Sequence, residues 1–152
     1  MKKIVLVSHC VLNSMCELPP ASDEYRKGLL GIAGENGWDI IQLPCPELSY
    51  QGLERESIYP GTEKAWDYGH YCWDLLTPLF KNLREYIKYG YQFVGIIGIE
   101  TSPSCSIKAG EGIMMGLILD FLKTNGVIDY KLINMPVESG DESFLAAVKE
   151  WI

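Results

Sequence analysis

Three cysteines in this chain stand where an α/β sheet delivers reactive side chains. Ile4-Val5-Leu6-Val7 runs into Ser8-His9-Cys10-Val11-Leu12-Asn13-Ser14-Met15-Cys16, and Ile40-Ile41-Gln42-Leu43 runs into Pro44-Cys45-Pro46-Glu47. Phe93-Val94-Gly95-Ile96-Ile97-Gly98-Ile99 leads to Glu100-Thr101-Ser102-Pro103-Ser104-Cys105. One buried cysteine is usually core filler. Three at corresponding strand ends converge if the first strand lies beside both the second and the third. Convergent thiolates raise one another's pKa unless a cation neutralises them, and zinc and iron–sulfur clusters are the usual answers. Successive spacings among Cys10, Cys16, Cys45 and Cys105 are 6, 29 and 60 residues. That pattern lacks both the zinc knuckle and the ferredoxin runs, although single ligands from separate loops can still hold a cubane cluster. Three ligands leave one iron open for Lewis-acid chemistry, whereas four close it for electron transfer or a structural role. A cysteine-phosphatase loop is excluded, because Cys16 stands where its phosphate-clamping arginine belongs.

The elements that must position these residues follow from periodicity and punctuation. Residues 3–9 read as a buried strand, followed by loop to about Pro20. Ser22-Asp23-Glu24 offers an N-cap for a helix over about 23–34, and 38–44 form a second strand. Leu48 to Gly61 is polar and turn-rich, a long loop of the kind that often carries function. Thr62-Glu63 caps a helical region reaching about Tyr89, with a kink or two abutting helices expected at Pro78. Residues 92–99 are uniformly apolar, as a central parallel strand should be. A helix over 112–124, a strand over 131–137 and a last helix from about Ser139 complete four strand–helix alternations. The fold class is therefore α/β: a three-layer Rossmann-like domain, 1–152, with a mainly parallel sheet of four or slightly more strands flanked by helices. In such sheets ligands bind beyond the carboxyl ends of the strands, where Cys10, Cys45 and Cys105 fall.

Bulk properties narrow the partners. A net charge of −7 with only 13 scattered basic residues argues against nucleic acid and anionic membranes. The four-residue apolar run after Lys2-Lys3 is too short for a signal peptide, and no stretch approaches the ~20 apolar residues of a membrane helix. Five cysteines, an odd number without disulfide-framework spacing, suit a reducing, cytoplasmic setting and a ligand or nucleophile role.

Taken together, Cys10-Val11-Leu12-Asn13-Ser14-Met15-Cys16, Cys45-Pro46-Glu47 and Ser102-Pro103-Ser104-Cys105 resemble the motifs of the thiouracil desulfidase family, in order, over residues 3 to about 112. That resemblance implies a [4Fe–4S] cluster held by Cys10, Cys45 and Cys105 with one iron free, and Cys16 near the cluster as a possible fourth ligand. It implies a small thiolated substrate, exchange of its thiocarbonyl sulfur for water without net redox change, and a place in sulfur metabolism. Glu47 is the candidate acid/base, and Ser102 and Ser104 are polar contacts to substrate or cluster. Asn13, Glu17 and Ser106 replace the family's Gly, Arg and Gly, and no Tyr-Asp-Gly follows Cys16, which marks a divergent branch. The chemistry is coherent: a C=S carbon becomes electrophilic when its sulfur meets a soft Lewis acid, and Glu47, two residues after Cys45, can activate water in the same pocket. Two other classes stay open, namely a non-catalytic module with four cysteines on a cluster or zinc, and a thiol redox or sulfur-carrier protein using Cys10 and Cys16.

Other residues divide between roles. Glu100 can reach the pocket or bond the following loop, and Asn13 can donate to a cluster sulfide or a substrate carbonyl. His9 reads as a satisfied structural histidine. Trp66, His70 and Trp73 share one helical face, mainly a core signal, within a segment that also holds Tyr59, Tyr68 and Tyr71. A ring near its start can stack on a flat heterocycle. Cys72, mid-helix, reads as buried and apolar. Gly110-Glu111-Gly112 before a helix reads as a turn more than as an anion cradle.

Overall fold

A computed structural model describes residues 1–15, 23–108 and 112–151. Strands β1 (Lys3–Val7), β2 (Trp38–Gln42), β3 (Gln92–Ile99) and β4 (Lys131–Met135) form one sheet in the order β2-β1-β3-β4. Every neighbouring pair is parallel. The first strand thus lies between the second and third, the arrangement that cysteine convergence requires. Alternation along β1 sends Ile4 and Leu6 to one face and Val5 and Val7 to the other, as a period of two dictates. The first face is covered by α4 (Ala65–Lys88) and α5 (Ile113–Thr124), the second by α2 (Asp23–Asn36) and α6 (Glu142–Lys149). The α/β three-layer expectation holds.

A bulge in β3 adds one residue opposite β1, so that Ile4 pairs with Phe93 and Val5 with Gly95. Gly95 then faces Trp151, whose ring fills the place of a β-carbon. Glycine here is a packing requirement of the second core rather than a flexible joint.

Several local expectations are corrected. The presumed loop after Ser8 opens with a one-turn helix, α1 (His9–Leu12). The presumed loop from Leu48 is in part helix α3 (Pro46–Gln51), started by Pro46 in its first turn and ended at Gly52 with φ 85°; proline at the start and glycine past the end suit a short helix. On α4 the core stripe is Tyr68, Cys72, Leu76, Phe80 and Leu83, while Trp66 and Trp73 are 75% and 48% exposed. Both stripes have helical spacing, so period alone does not choose between them. The Tyr68–Leu83 stripe runs on through four turns and meets α5, which decides the packing. Cys72 is buried as expected. Pro78 lies within a single continuous helix instead of dividing two. Strand ends fall two residues short of expectation at Val7, Gln42 and Met135, and α6 starts at Glu142 with Asp141 as its cap. Among the described residues no helix is long and apolar enough to cross a membrane.

Candidate functional site

The parallel register sets Val7, Gln42 and Ile97 side by side at the carboxyl edge. Past that edge the backbone stays tied: Ser8 N–H donates to Ile97 O at 3.0 Å and Leu43 N–H to Val7 O at 2.7 Å. Cys10 follows on α1, where the buried Arg26 of α2 donates from Nη2 to its carbonyl at 2.8 Å while Nη1 pairs with Asp23 at 3.0 Å. Cys45 is the N-cap residue of α3, which places Glu47 in the first turn of that helix.

The loop bearing Cys105 is the most constrained of the three. Ser102 Oγ accepts from Ser104 N–H at 3.3 Å and Cys105 N–H at 3.1 Å, and Cys105 O returns to accept from Ile99 N–H at 3.1 Å. The first amides of α5 close the loop from behind, Ile113 N–H donating to Pro103 O at 2.9 Å and Met115 N–H to Ser104 O at 3.0 Å. Those donors are therefore spent on protein rather than offered to an anion. Thr101 holds φ 61°, a left-handed conformation uncommon outside glycine. Gly98 and Gly112 let the loop lie directly on β3 and α5, since a β-carbon at either would meet loop backbone.

Cys10, Cys45 and Cys105 line one cavity of about 250 Å³, together with Glu47, Arg55, Tyr59, Glu100, Ser102 and Ser104. A chain of polar side chains enters its wall. Arg55 Nε donates to Glu47 Oε2 at 2.9 Å, Ser104 Oγ donates to Glu47 Oε1 at 3.0 Å, and Ser104 Oγ and the Tyr68 hydroxyl lie 2.6 Å apart. Arg55 and Glu47 are only 9% and 13% exposed, so this ion pair is far less screened than a surface pair. Burial pushes the Cys105 thiol up to about 12; neighbouring Ser8 and Ser102 hydroxyls oppose that shift, and the nearby Cys45 and Glu47 charges reinforce it. Burial also drives the Tyr68 phenol well above its ordinary value. Glu100 lines the cavity and bonds the segment just past β4, its Oε2 accepting from Val137 N–H at 3.4 Å.

The fold thus brings together seven residues singled out from sequence: Cys10, Cys45, Cys105, Glu47, Glu100, Ser102 and Ser104. Asn13 is not among the lining residues; its amide nitrogen donates to Gln42 at the end of β2. Cys16, Glu17 and Ser22 lie outside the described residues, as do Gly110 and Glu111. Tyr59 lines the cavity and is 55% exposed. Arg55, Arg26, Tyr68 and Thr101 had not been marked as site residues. Tyr68 carried a signal as the first residue of the longer α4 stripe, whereas nothing local distinguished Arg55 or Arg26 from surface arginines. Among the described residues no three His, Cys, Asp or Glu side chains are close enough to hold one metal ion. A cubane makes a different demand, because each thiolate binds its own iron and the ligands stand apart around the cluster. Three soft sulfur donors from three strand ends fit that demand.

No known family profile matches the chain, and no solved structure matches it. The uncharacterized protein MJ0003 of Methanocaldococcus jannaschii is 39% identical over 117 residues, 75% of this chain and 74% of that protein. Identity at that level across three quarters of both chains makes them homologues, and the chain belongs to the same family as MJ0003.

Proposed function

We propose that this protein is an iron–sulfur-dependent desulfidase acting on a small thiolated compound of the thiouracil kind, with a [4Fe–4S] cluster held by Cys10, Cys45 and Cys105. The observation that carries the reading is the convergence of three strand-end thiols and one half-buried carboxylate on a single cavity. Supporting it is the state of Cys105: a buried thiol pushed up to about 12 needs a cation before it becomes a ligand thiolate. The cluster, when bound, supplies a soft Lewis acid for a thiocarbonyl sulfur.

The chain's own residues supply the rest. Glu47, held on one oxygen by Ser104 and on the other by Arg55, keeps further lone pairs with which to accept a proton from water. Water adds its oxygen to the thiocarbonyl carbon, the carbon–sulfur bond breaks, and both protons leave with the sulfur as hydrogen sulfide. Ser102 shapes the Cys105 loop by accepting through Oγ from two loop amides, and its hydroxyl bonds the Cys105 sulfur. Tyr59 offers a ring face at the mouth for a flat heterocycle. The net charge of −7 favours a small molecule over nucleic acid, and the reducing cytoplasm is the compartment where such thiols persist.

The test is anaerobic reconstitution followed by a thio-substrate screen. The expected protein is brown with about four irons per chain, and it releases sulfide from 4-thiouracil or a related thio-base. Glu47→Gln keeps the iron and loses sulfide release. Cys16→Ser keeps iron if three cysteines suffice and loses it if Cys16 is the fourth ligand. Colourless protein with stoichiometric zinc overturns the cluster, and iron-replete protein inert towards every thio-base overturns the activity.

A further inference from the structure

Tyr68, Ser104 and Glu47 come from three separate segments, 36 and 57 residues apart in sequence, and form one connected polar chain. Tyr68 and Ser104 are 0% and 1% exposed, so bulk water does not contact either hydroxyl. Their hydrogens can be counted. Ser104 has a single hydroxyl hydrogen, and it is directed to Glu47 Oε1. The 2.6 Å contact between Ser104 Oγ and the Tyr68 oxygen must then be made with the phenol's hydrogen. Arg55, on the far oxygen of Glu47, requires that carboxylate to accept on that side as well. The two hydroxyl hydrogens therefore run one way, from the core towards Glu47.

We propose that Tyr68 and Ser104 are positioning residues that aim Glu47: Tyr68 donates to Ser104, Ser104 donates to Glu47, and the carboxylate is held with its remaining lone pairs towards the cavity. The effect on turnover rests on the reading of Glu47 as the base that activates water; the direction of the hydrogen bonds does not. Ser104 in this arrangement serves the carboxylate instead of touching the substrate. Cys72, one turn after Tyr68 on the same buried stripe, also hydrogen-bonds the phenol, and its sulfur is a weaker acceptor than the Ser104 oxygen.

The experiment reads Tyr68 directly. The tyrosine Fermi doublet in the Raman spectrum has a low intensity ratio for a phenol that only donates and a high one for a phenol that only accepts. The wild-type spectrum minus that of Tyr68→Phe isolates this residue, and the expected ratio is that of a donor. An acceptor-type ratio in wild type overturns the proposal whether or not the protein has activity. In reconstituted enzyme, Tyr68→Phe keeps its iron and KM, while kcat falls on the order of tenfold to a hundredfold, the scale of a misaimed group. A fall in iron content or a rise in KM with unchanged kcat assigns Tyr68 to packing and overturns its positioning role. Absence of sulfide release from wild type would overturn the desulfidase reading, and the Raman result would still decide the relay.

Discussion

Gly98→Ala tests how the cysteine loop is held. Gly98 sits in β3 opposite Asn134, and a β-carbon there would meet the Cys105 carbonyl, Asn134 Oδ1 at 2.6 Å and Ile107 Cγ1 at 2.8 Å. The two oxygens cannot simply step aside. Cys105 O accepts from Ile99 N–H at 3.1 Å, and Asn134 Oδ1 accepts from Ile107 N–H at 3.0 Å. One added methyl must displace the loop, strain the strand or break those bonds. Overpacking costs about 1–3 kcal/mol and each lost hydrogen bond about 0.5–1.5 kcal/mol, so the expected loss is about 2–6 kcal/mol. For a chain of this size that lowers Tm by about 5–20 °C. The assay is thermal melting followed by circular dichroism, with iron content after anaerobic reconstitution as the second readout, because the displaced segment carries Cys105. Gly116→Ala is the control. It lies on α5 with nothing within 4 Å of the added carbon, so alanine should stabilise by about 0.4–1 kcal/mol. A Gly98→Ala protein that melts within about 2 °C of wild type and binds iron equally would refute the packing of this loop on the strand.

Further outcomes follow from other contacts. Arg26→Met removes the charged donor to Cys10 O and should cost about 1.5–3 kcal/mol in urea unfolding and lower iron uptake; unchanged uptake would mean that the Cys10 turn holds itself. Tyr25→Phe keeps the ring against Phe144 but strands Glu138 O and Asp141 N–H, which its hydroxyl joins at 2.6 and 2.9 Å. A loss of about 1–3 kcal/mol is expected, and a neutral result would place α6 docking in apolar contacts alone. Asp141 has its carboxyl held below the ordinary range by the Ser143 hydroxyl and amide. Its contribution is thus present above the unfolded carboxyl value and lost as pH falls through the lowered folded value. Melting curves of wild type and Asp141→Asn should differ most near neutral pH and converge in acid, and a gap independent of pH would count against that linkage.

Much of the frame was legible in the sequence, because it is written in local pattern. Apolar runs of four to eight residues bounded by turn residues identify strands, and β3 was placed at its observed limits, Gln92–Ile99, because it is buried on both faces and ends at a polar loop. The placement of Cys10, Cys45 and Cys105 beyond three strand ends was likewise a matter of counting along the chain. Where two local patterns had the same period, sequence could not choose: Trp66-His70-Trp73 and the Tyr68–Leu83 stripe are both helical faces, and contact with α5 and the sheet decides which is buried.

The site depended on tertiary structure in a stronger sense. Sheet order β2-β1-β3-β4 is what turns three separate strand-end cysteines into one cavity, and no spacing along the chain encodes that order. The ties of Glu47 to Ser104 across 57 residues and of Ser104 to Tyr68 across 36 exist only after that sheet has formed. Asn13 shows the converse, a polar neighbour of Cys10 in sequence whose amide turns to Gln42 in space. By itself the sequence determined which residue types reach the carboxyl edge, since strand length and burial are properties of neighbouring residues. The tertiary structure decided which of them meet and which way they face, since hydrogen bonds and ion pairs depend on distances set by strand register and helix packing.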